Sequence, residues 1–246
     1  MKSFKKSLGV FVFLFLSFVL WTLAISFIDL AAIGPNGSSV GFATLNGWFH
    51  SVTGVHMTLY HITDWAGLVP VAVGFGFAIL GLVQWIKRKS FLNVDFNILT
   101  LGGFYLVVLA FYLLFEEIAV NYRPVLINGF LESSYPSSTT LLVLCVMPTA
   151  ILQFNARIKN SLFKRTVSVL IISFTVFMVV GRLLSGVHWL TDIIGGILLS
   201  GSLVTLYYSI NKKPTESNGG FFTCFIFLPL LRRTFPGALL RNRELA

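Results

Sequence analysis

The chain alternates between long apolar runs and short polar connections. Six of the runs reach about 20 residues, the length that a helix needs to cross the hydrocarbon core of a membrane. Because a backbone in lipid must satisfy its own hydrogen bonds, we expect each run to be a transmembrane helix. The sequence therefore predicts an all-α fold, a bundle of six transmembrane helices with spans at 8–28, 65–86, 97–115, 138–154, 166–184 and 189–210.

Residues 33–64 lie between the first two spans and begin as a loop rich in glycine and proline. The apolar residues that follow recur at a near-helical spacing, which predicts one helix. We expect this helix to lie in the outer membrane interface with its apolar side towards the lipid. The residues that carry the pattern are Leu45, Phe49, Val52, Leu59 and Ile62.

Composition excludes a soluble domain, because 56% of the 246 residues are hydrophobic and only 11% are charged. The net charge of +9 is no sign of a nucleic-acid partner, because the cations cluster at the ends of the apolar runs, as topology determinants do. The first run could be a signal peptide, but its length and the lack of a small-residue cleavage site favour a retained helix. Cys145 and Cys224 show no metal-ligand spacing, and we expect neither a disulfide nor a metal site.

Sixteen of the eighteen Lys and Arg residues fall on the side of the membrane that both termini share. The positive-inside rule then places both termini in the cytoplasm, and the compact size favours a bacterial cell membrane. The predicted organisation is a first transmembrane helix with a basic N-terminus (1–28), an extracytoplasmic loop and interfacial helix (29–64), a membrane domain (65–210) and a basic cytoplasmic tail (211–246).

The two remaining cations, Arg123 and Arg182, are on the opposite side, close in sequence or space to His188 and Asp192. His188 and Asp192 are four residues apart and share one helix face. An aspartate there can accept the proton of one imidazole nitrogen, which leaves the other nitrogen as a nucleophile. Two arginine forks can hold the equatorial oxygens of a phosphoryl group. The cluster thus indicates phosphoryl chemistry.

Ser137, Ser138 and Thr139 open the fourth span on the same side, and a helix N-terminus of this kind can bind an anion. Each feature also has a structural explanation. The histidine could be a polar filler, each arginine a lipid-headgroup anchor, the serines a plain N-cap and Asp192 a partner of the helix dipole. Their occurrence together on one face favours the functional interpretation.

These residues resemble the motifs of the type 2 phosphatidic acid phosphatase (PAP2) family, which is related to the vanadium haloperoxidases. The family pattern is Lys-x6-Arg-Pro, Pro-Ser-Gly-His and Ser-Arg-x5-His-x3-Asp. Arg182, His188 and Asp192 match the third motif, whereas the first two motifs are divergent. Glu116 stands at the position of the family lysine, and Thr139 stands at that of the second-motif histidine. The resemblance covers about residues 65–210 and implies a six-helix bundle of the PAP2 type.

The resemblance implies a phosphatase or pyrophosphatase that hydrolyses a phosphate ester or diphosphate of a membrane lipid at the outer leaflet. His188 would form a phosphohistidine and Asp192 would orient it, with no metal or cofactor. The phosphate-binding residues would be Arg123, Arg182, Ser137, Ser138 and Thr139, with Glu116 and Tyr122 as auxiliary residues. The sequence carries no indication of the oligomeric state.

Because a threonine hydroxyl is a poor acid, we expect diphosphate lipids, whose leaving group needs a proton less, to be preferred over monophosphates. His50, His56 and His61 could reach over the site or pack in the interface, and Glu116 or Glu117 could pair with Arg123. Two other functions stay open. An inactive relative could bind a phospholipid or polyprenyl phosphate headgroup, whereas a transporter would need mid-membrane ionisable residues that the spans almost lack.

Overall fold

The structure, a computed structural model, describes residues 2–211, with only the backbone for the first two of these. Cys224 and the predicted tail beyond Asn211 lie outside the described residues. The described chain forms eight α-helices, two short 3-10 turns and no strand, which confirms the all-α prediction. The helices are α1 (Lys2–Phe27), α2 (Ala43–Thr53), α3 (Met57–Ala66), α4 (Leu68–Arg88), α5 (Phe96–Glu117), α6 (Ser138–Arg157), α7 (Ser161–Leu184) and α8 (Leu190–Asn211).

Six helical stretches among the described residues are long and apolar enough to cross a membrane. They coincide with α1, α3 joined to α4, and α5 to α8. The predicted number of spans is therefore confirmed. The apolar surfaces of α1, α4, α5 and α7 are largely exposed in the isolated chain, as expected for helices whose outer faces contact lipid rather than protein.

The outer segment differs from its prediction, because it forms two helices rather than one. The chain breaks between α2 and α3 at Gly54, which has φ +67°. The α7–α8 connection passes directly over this break, and a Cβ at Gly186 would overlap the Gly54 carbonyl oxygen. The backbone N–H of His56 also donates to the carbonyl of Ser185 at 2.9 Å. The prediction of a single helix was wrong because the α7–α8 connection occupies this position, and the local spacing of apolar residues carries no information about such a distant segment.

The centre of the bundle is the α6–α8 pair, in which most residues are buried. These two helices pack closely because small residues line their contact. A Cβ at Gly196 would lie 3.1 Å from the Thr140 side chain, and Ser200 is fully buried with its hydroxyl bonded to the Gly196 carbonyl at 2.6 Å. Small residues at Gly196 and Ser200 thus allow the close approach of these helices.

The connections 89–95, 158–160 and 185–189 are too short to return along the bundle, so each joins antiparallel helices. The contacts of Trp21 with Thr191 and of Arg123 with His188 bring the ends of α1 and α5 to the same side. The C-terminal ends of α1, α5 and α7 therefore meet the N-terminal ends of α4, α6 and α8. We call this end of the bundle the site end, since it carries Arg123, Arg182 and His188. Contacts between distant segments close it: Trp21 Nε1 donates to the Thr191 carbonyl at 3.1 Å.

Gly195 provides a test of the packing at the centre of the bundle. A Cβ there would lie 2.7 Å from Cζ of Tyr135, whose ring is 1% exposed and has no room to move. We expect Gly195→Ala to destabilise the protein by about 1–3 kcal/mol through overpacking, measured as a lower thermal unfolding midpoint in detergent. Gly103→Ala in α5 is the matched control, because nothing lies within 4 Å of its added carbon. Equal midpoints for the two variants would contradict this packing.

Candidate active site

The connection between α5 and α6 is folded back on itself by an Asn-Gly turn. Asn128 and Gly129 both have positive φ, 51° and 85°, the combination that a two-residue hairpin turn of type I′ requires. The residues flanking the turn exchange two backbone hydrogen bonds of 3.0 and 2.9 Å. Further along, the N–H of Arg123 donates to the Glu132 carbonyl at 3.0 Å. The turn therefore returns Glu132 and Ser134 to the neighbourhood of Arg123.

His188 lies in the short connection between α7 and α8, and it is 3% exposed. Its Nδ1 is 3.1 Å from the carbonyl oxygen of Ser134. A carbonyl can only accept, so this contact assigns the proton to Nδ1 and leaves a lone pair on Nε2. Nε2 faces Arg123, whose Nη1 donates to it at 3.3 Å. Nε2 is thus the atom positioned to act as a nucleophile.

Asp192 is fully buried in the first turn of α8. His188 lies before this helix begins, so the two residues do not share a helix face as the sequence predicted. Its Oδ2 lies 3.8 Å from Nδ1 of His188, which is longer than a hydrogen bond. The carboxylate instead accepts the backbone N–H of Trp189 at 2.9 Å and the side-chain amide of Asn121 at 3.4 Å. In this structure Asp192 therefore holds the backbone around His188, while the Ser134 carbonyl makes the direct contact with the ring.

Arg123 is buried between the hairpin and His188. Its Nε lies 3.0 Å from Oε2 of Glu132, an ion pair that lacks the alignment of a hydrogen bond. Glu132 is 40% exposed at its side chain, whereas Arg123 is 10% exposed. A carboxylate at the surface thus balances a guanidinium inside the site. The pairing of Arg123 is with Glu132 and not with Glu116 or Glu117, which the sequence offered as candidates.

Arg182 ends α7 and is held from two sides. Its Nη2 donates to Oδ1 of Asp64 in α3 at 2.9 Å and to Oγ1 of Thr139 in α6 at 2.6 Å. The guanidinium also lies over the ring of Tyr60 at 4.9 Å from its centroid, a cation–π contact. Arg182 does not line the pocket that contains His188. Arg123 therefore borders the pocket directly, whereas Arg182 reaches the site through its contact with Thr139.

The start of α6 lies between these two arginines. Ser137 is the N-cap residue and is fully buried; its N–H donates to the Asp192 carbonyl at 3.1 Å, and its hydroxyl accepts from Thr140 at 3.1 Å. Ser138 lines the pocket and Thr139 contacts Arg182. The first-turn N–H groups of α6 have no partner within their own helix, so this end is suited to an anion.

A small pocket opens beside His188 and reaches the wall formed by α5. Its water-accessible volume is about 20 Å³, roughly room for one water molecule. Glu116 lines it, whereas Tyr122 does not and contributes its carbonyl to Trp189 Nε1 at 2.7 Å. The pocket is lined by Phe111, Tyr112, Phe115, Glu116, Arg123, Ser133, Ser134, Tyr135, Pro136, Ser138, Leu141 and His188.

The three outer histidines make contacts away from this pocket. His50 Nε2 contacts the Gly186 carbonyl at 3.2 Å, and its ring packs on Trp189. His56 Nε2 contacts the Thr53 carbonyl at 2.9 Å, and the ring of His61 packs on Tyr60. These contacts fit the packing role that the sequence left open for them. Within residues 2–211, no cluster of three or more His, Cys, Asp and Glu side chains could hold a metal ion.

Several site residues were missed by sequence reasoning: Asp64, Asn121, Glu132, Ser134 and Asn46. The Asn128-Gly129 pair was a usable signal for the hairpin that brings in Glu132 and Ser134, because Asn-Gly strongly favours a tight turn. No comparable signal marked Asp64 or Asn46. Asn46 is fully buried and its amide donates to Thr191 Oγ1 at 3.0 Å, which ties α2 to the start of α8.

Comparison with known proteins points to the same family as the sequence motifs. The model of the PAP2 superfamily matches residues 100–216, which include α5 from its second turn, the hairpin, α6, α7 and α8. The resemblance inferred from the motifs is therefore confirmed, and the PAP2 match supports a phosphatase-type enzyme. Together with the six apolar helices, it supports an integral membrane protein.

One similar solved structure is described as the "crystal structure of the first transmembrane PAP2 type phosphatidylglycerolphosphate phosphatase from Bacillus subtilis". Its chain is 19% identical to this one, and the alignment covers 85% of this chain and 98% of that chain with a TM-score of 0.48. A search of curated proteins finds no match to this chain.

The environment of His188 has a consequence for its ionisation. Burial, together with the positive charges of Arg123 and Arg182, holds the pKa of His188 well below 6.5. The folded protein therefore binds this proton less readily than the unfolded chain. We expect the His188 imidazole to stay neutral from pH 8 down to about pH 6, measured by NMR of labelled imidazole in detergent and assigned by the signal lost in His188→Gln.

The sign of this shift also predicts a stability effect. His188 contributes stability that is complete above about pH 6.5 and is lost as the pH falls below that value, because the unfolded imidazole then takes up a proton. Arg123→Gln removes one positive charge and should move the His188 titration upward. An imidazole that titrates at its ordinary pH in the unaltered protein would contradict the buried, neutral state.

Proposed function

We propose that this protein is a membrane lipid phosphatase or pyrophosphatase that hydrolyses a phosphate ester or diphosphate at the outer leaflet through a phosphohistidine on His188. The observation that carries the proposal is the pair of contacts on its imidazole. Nδ1 is held by a carbonyl that fixes its proton, and Nε2 points into a pocket beside a buried guanidinium. An imidazole held in this way is a neutral nucleophile facing a cation that can bind its target.

The reaction follows from the roles of the two ring nitrogens. Nε2 attacks phosphorus, and the bond to the leaving oxygen breaks as the N–P bond forms. The imidazolium then carries its positive charge near Asp192, which lies 3.8 Å from Nδ1 and stabilises that charge. Water attacks the phosphohistidine, phosphate leaves, and neutral imidazole is restored. Arg123 stabilises the equatorial oxygens in both steps, and Arg182 adds its positive charge from behind Thr139.

Substrate must displace the Arg123 guanidinium from the imidazole. Its Nη1 lies 3.3 Å from Nε2, in the place that phosphorus would occupy, and the pocket holds roughly one water molecule. Phosphate oxygens offer Arg123 a stronger, bidentate acceptor than one imidazole lone pair. The arginine therefore moves from the nucleophile to the phosphate as substrate enters.

Thr139 determines which leaving groups this site can expel. Its hydroxyl accepts a hydrogen bond from Arg182, and it replaces the histidine of the family pattern. From a lipid diphosphate the expelled group is a lipid phosphate, which leaves with little need for a proton, whereas the alkoxide expelled from a lipid monophosphate needs a proton donor. We therefore propose that the chemical step is faster for a lipid diphosphate than for a lipid monophosphate.

One observation favours a second function, a catalytically inactive PAP2 protein that binds a phospholipid or polyprenyl phosphate headgroup. Glu116 and Thr139 stand where the family pattern has a cation and an acid. Such a protein would retain the arginines that bind phosphate but would lack turnover. Detection of a covalent phosphoenzyme separates the two functions.

We expect purified protein given an isoprenyl diphosphate to form an acid-labile, base-stable phosphoryl adduct on His188 and to release phosphate. The adduct is measured by alkali-quenched labelling from ³²P-substrate and by mass spectrometry, and turnover by released phosphate. His188→Ala should abolish both signals because it removes the nucleophile. Phosphatidate should give at least about tenfold slower turnover, since general acid assistance is typically worth 10²–10⁴-fold.

His61→Ala is the matched control, because this histidine is exposed and contacts only the Tyr60 ring in the described structure. It should leave labelling and turnover unchanged. Tight binding of lipid phosphate without any adduct or released phosphate would favour the inactive binder. Unchanged turnover in His188→Ala would remove the proposed mechanism, and faster hydrolysis of phosphatidate would remove the leaving-group argument.

We also propose that both termini are cytoplasmic and that the site end faces outward. Cations at the opposite helix ends support this orientation. With Cys145 and Cys224 replaced by serine, Phe130→Cys in the hairpin should react with a membrane-impermeant maleimide on intact cells. Lys159→Cys, equally exposed between α6 and α7, should react only after the membrane is permeabilised. The reverse pattern would invert the proposed topology.

A further inference from the structure

The pocket beside His188 has two chemically different walls. Arg123 and His188 form one wall, which suits a phosphoryl group. The C-terminal part of α5 forms the other, and it presents three aromatic side chains and one carboxylate, namely Phe111, Tyr112, Phe115 and Glu116. Aromatic faces and a carboxylate are the groups that bind ammonium ions in proteins. The pocket therefore combines anion-binding and cation-binding surfaces at short range.

The charges around the two arginines point in the same direction. Each arginine already has a carboxylate partner, Glu132 at 3.0 Å from Arg123 and Asp64 at 2.9 Å from Arg182. The positive charge of the phosphate wall is thus balanced before any ligand binds. Glu116 then adds a negative charge to the pocket that no described cation pairs with within 4 Å.

The distribution of carboxylates extends this pattern beyond the pocket. Among the described residues, six of seven carboxylates lie at the site end, against two arginines. A bare phosphate dianion meets a repulsive field there, because like charges in a partly desolvated site interact strongly. A ligand that carries its own positive charge next to the phosphate avoids this cost.

We propose that the α5 wall is a subsite for an ammonium group, and that the ligand is a lipid whose phosphate bears an amine about two carbons away. The phosphate contacts Arg123 and His188, and the ammonium lies among the α5 rings with Glu116 as its counter-ion. This inference deepens the proposed function and rests on the same pocket. It concerns binding, whereas the leaving-group argument at Thr139 concerns the chemical step.

Two sources share this chemistry: the headgroup of a zwitterionic phospholipid, which is a phosphodiester, and the phosphate monoester of a long-chain amino alcohol. The experiment separates them by using glycerophosphocholine for the first and phosphocholine for the second. Binding of each compound is measured by isothermal titration calorimetry on the full-length protein in a maltoside detergent, which contains neither choline nor phosphate. Inorganic phosphate serves as the reference anion.

We expect phosphocholine to bind about tenfold more tightly than its neutral isostere, in which a tert-butyl group replaces the trimethylammonium group. The isostere has the same shape and the same phosphate. The ratio of the two dissociation constants therefore reports the contribution of the positive charge alone. Glu116→Gln should reduce this ratio to near one. Glu116→Lys should invert it and tighten the binding of inorganic phosphate, because it adds a positive charge to the same wall.

Glu117→Gln is the matched control, because Glu117 is the adjacent exposed carboxylate of α5 and does not line the pocket. It should leave the ratio unchanged. Both positions are exposed, and thermal unfolding midpoints confirm that the variants are folded. A ratio near one in the unaltered protein, or an equal loss of the ratio in both variants, would overturn the subsite.

The outcome also distinguishes this inference from the proposed function. Turnover of a lipid diphosphate with a ratio near one would leave the phosphatase in place and remove the ammonium subsite. A ratio of about ten without turnover would leave the subsite and favour the inactive binder. Failure of every phosphate compound to bind would overturn both.

Discussion

Two buried guanidinium groups determine how the site end of this protein is assembled. A buried cation without a partner is strongly destabilising, so each arginine requires a carboxylate, and in each case that carboxylate comes from a segment at the site end of the bundle. Asp64 reaches Arg182 from α3, and Glu132 reaches Arg123 from the hairpin. The requirement to neutralise these charges thus fixes the outer segments on top of the helices and closes the site around His188.

The same assembly prepares the imidazole for its proposed role. The hairpin that carries Glu132 also brings the Ser134 carbonyl to Nδ1 of His188, 3.1 Å away. A backbone carbonyl can only accept a hydrogen bond, so it selects the tautomer without any ionisable partner. Asp192 is then available to cap the backbone at Trp189 and to stabilise the imidazolium of the reaction. Orientation and charge stabilisation are divided between two groups rather than combined in one.

The sequence predicted much of the framework but little of the support around the site. The number of spans, the all-α fold and the PAP2 resemblance were predicted correctly. The outer segment was not, because Gly54 breaks its helix where the α7–α8 connection crosses it. The roles of His188, Asp192, Arg123 and Arg182 stay predictions, although the structure brings His188, Asp192 and Arg123 into contact or near contact.

The sequence by itself determined the spans and the third motif, because both depend on local spacing. A lipid environment imposes a minimum apolar length on every crossing, and the third motif is a fixed spacing of Arg182, His188 and Asp192 along the chain. Tertiary structure alone decided which carboxylates pair with the arginines. Asp64 and Arg182 are 118 residues apart. A buried charge needs a partner, but this requirement does not specify where in the chain the partner lies.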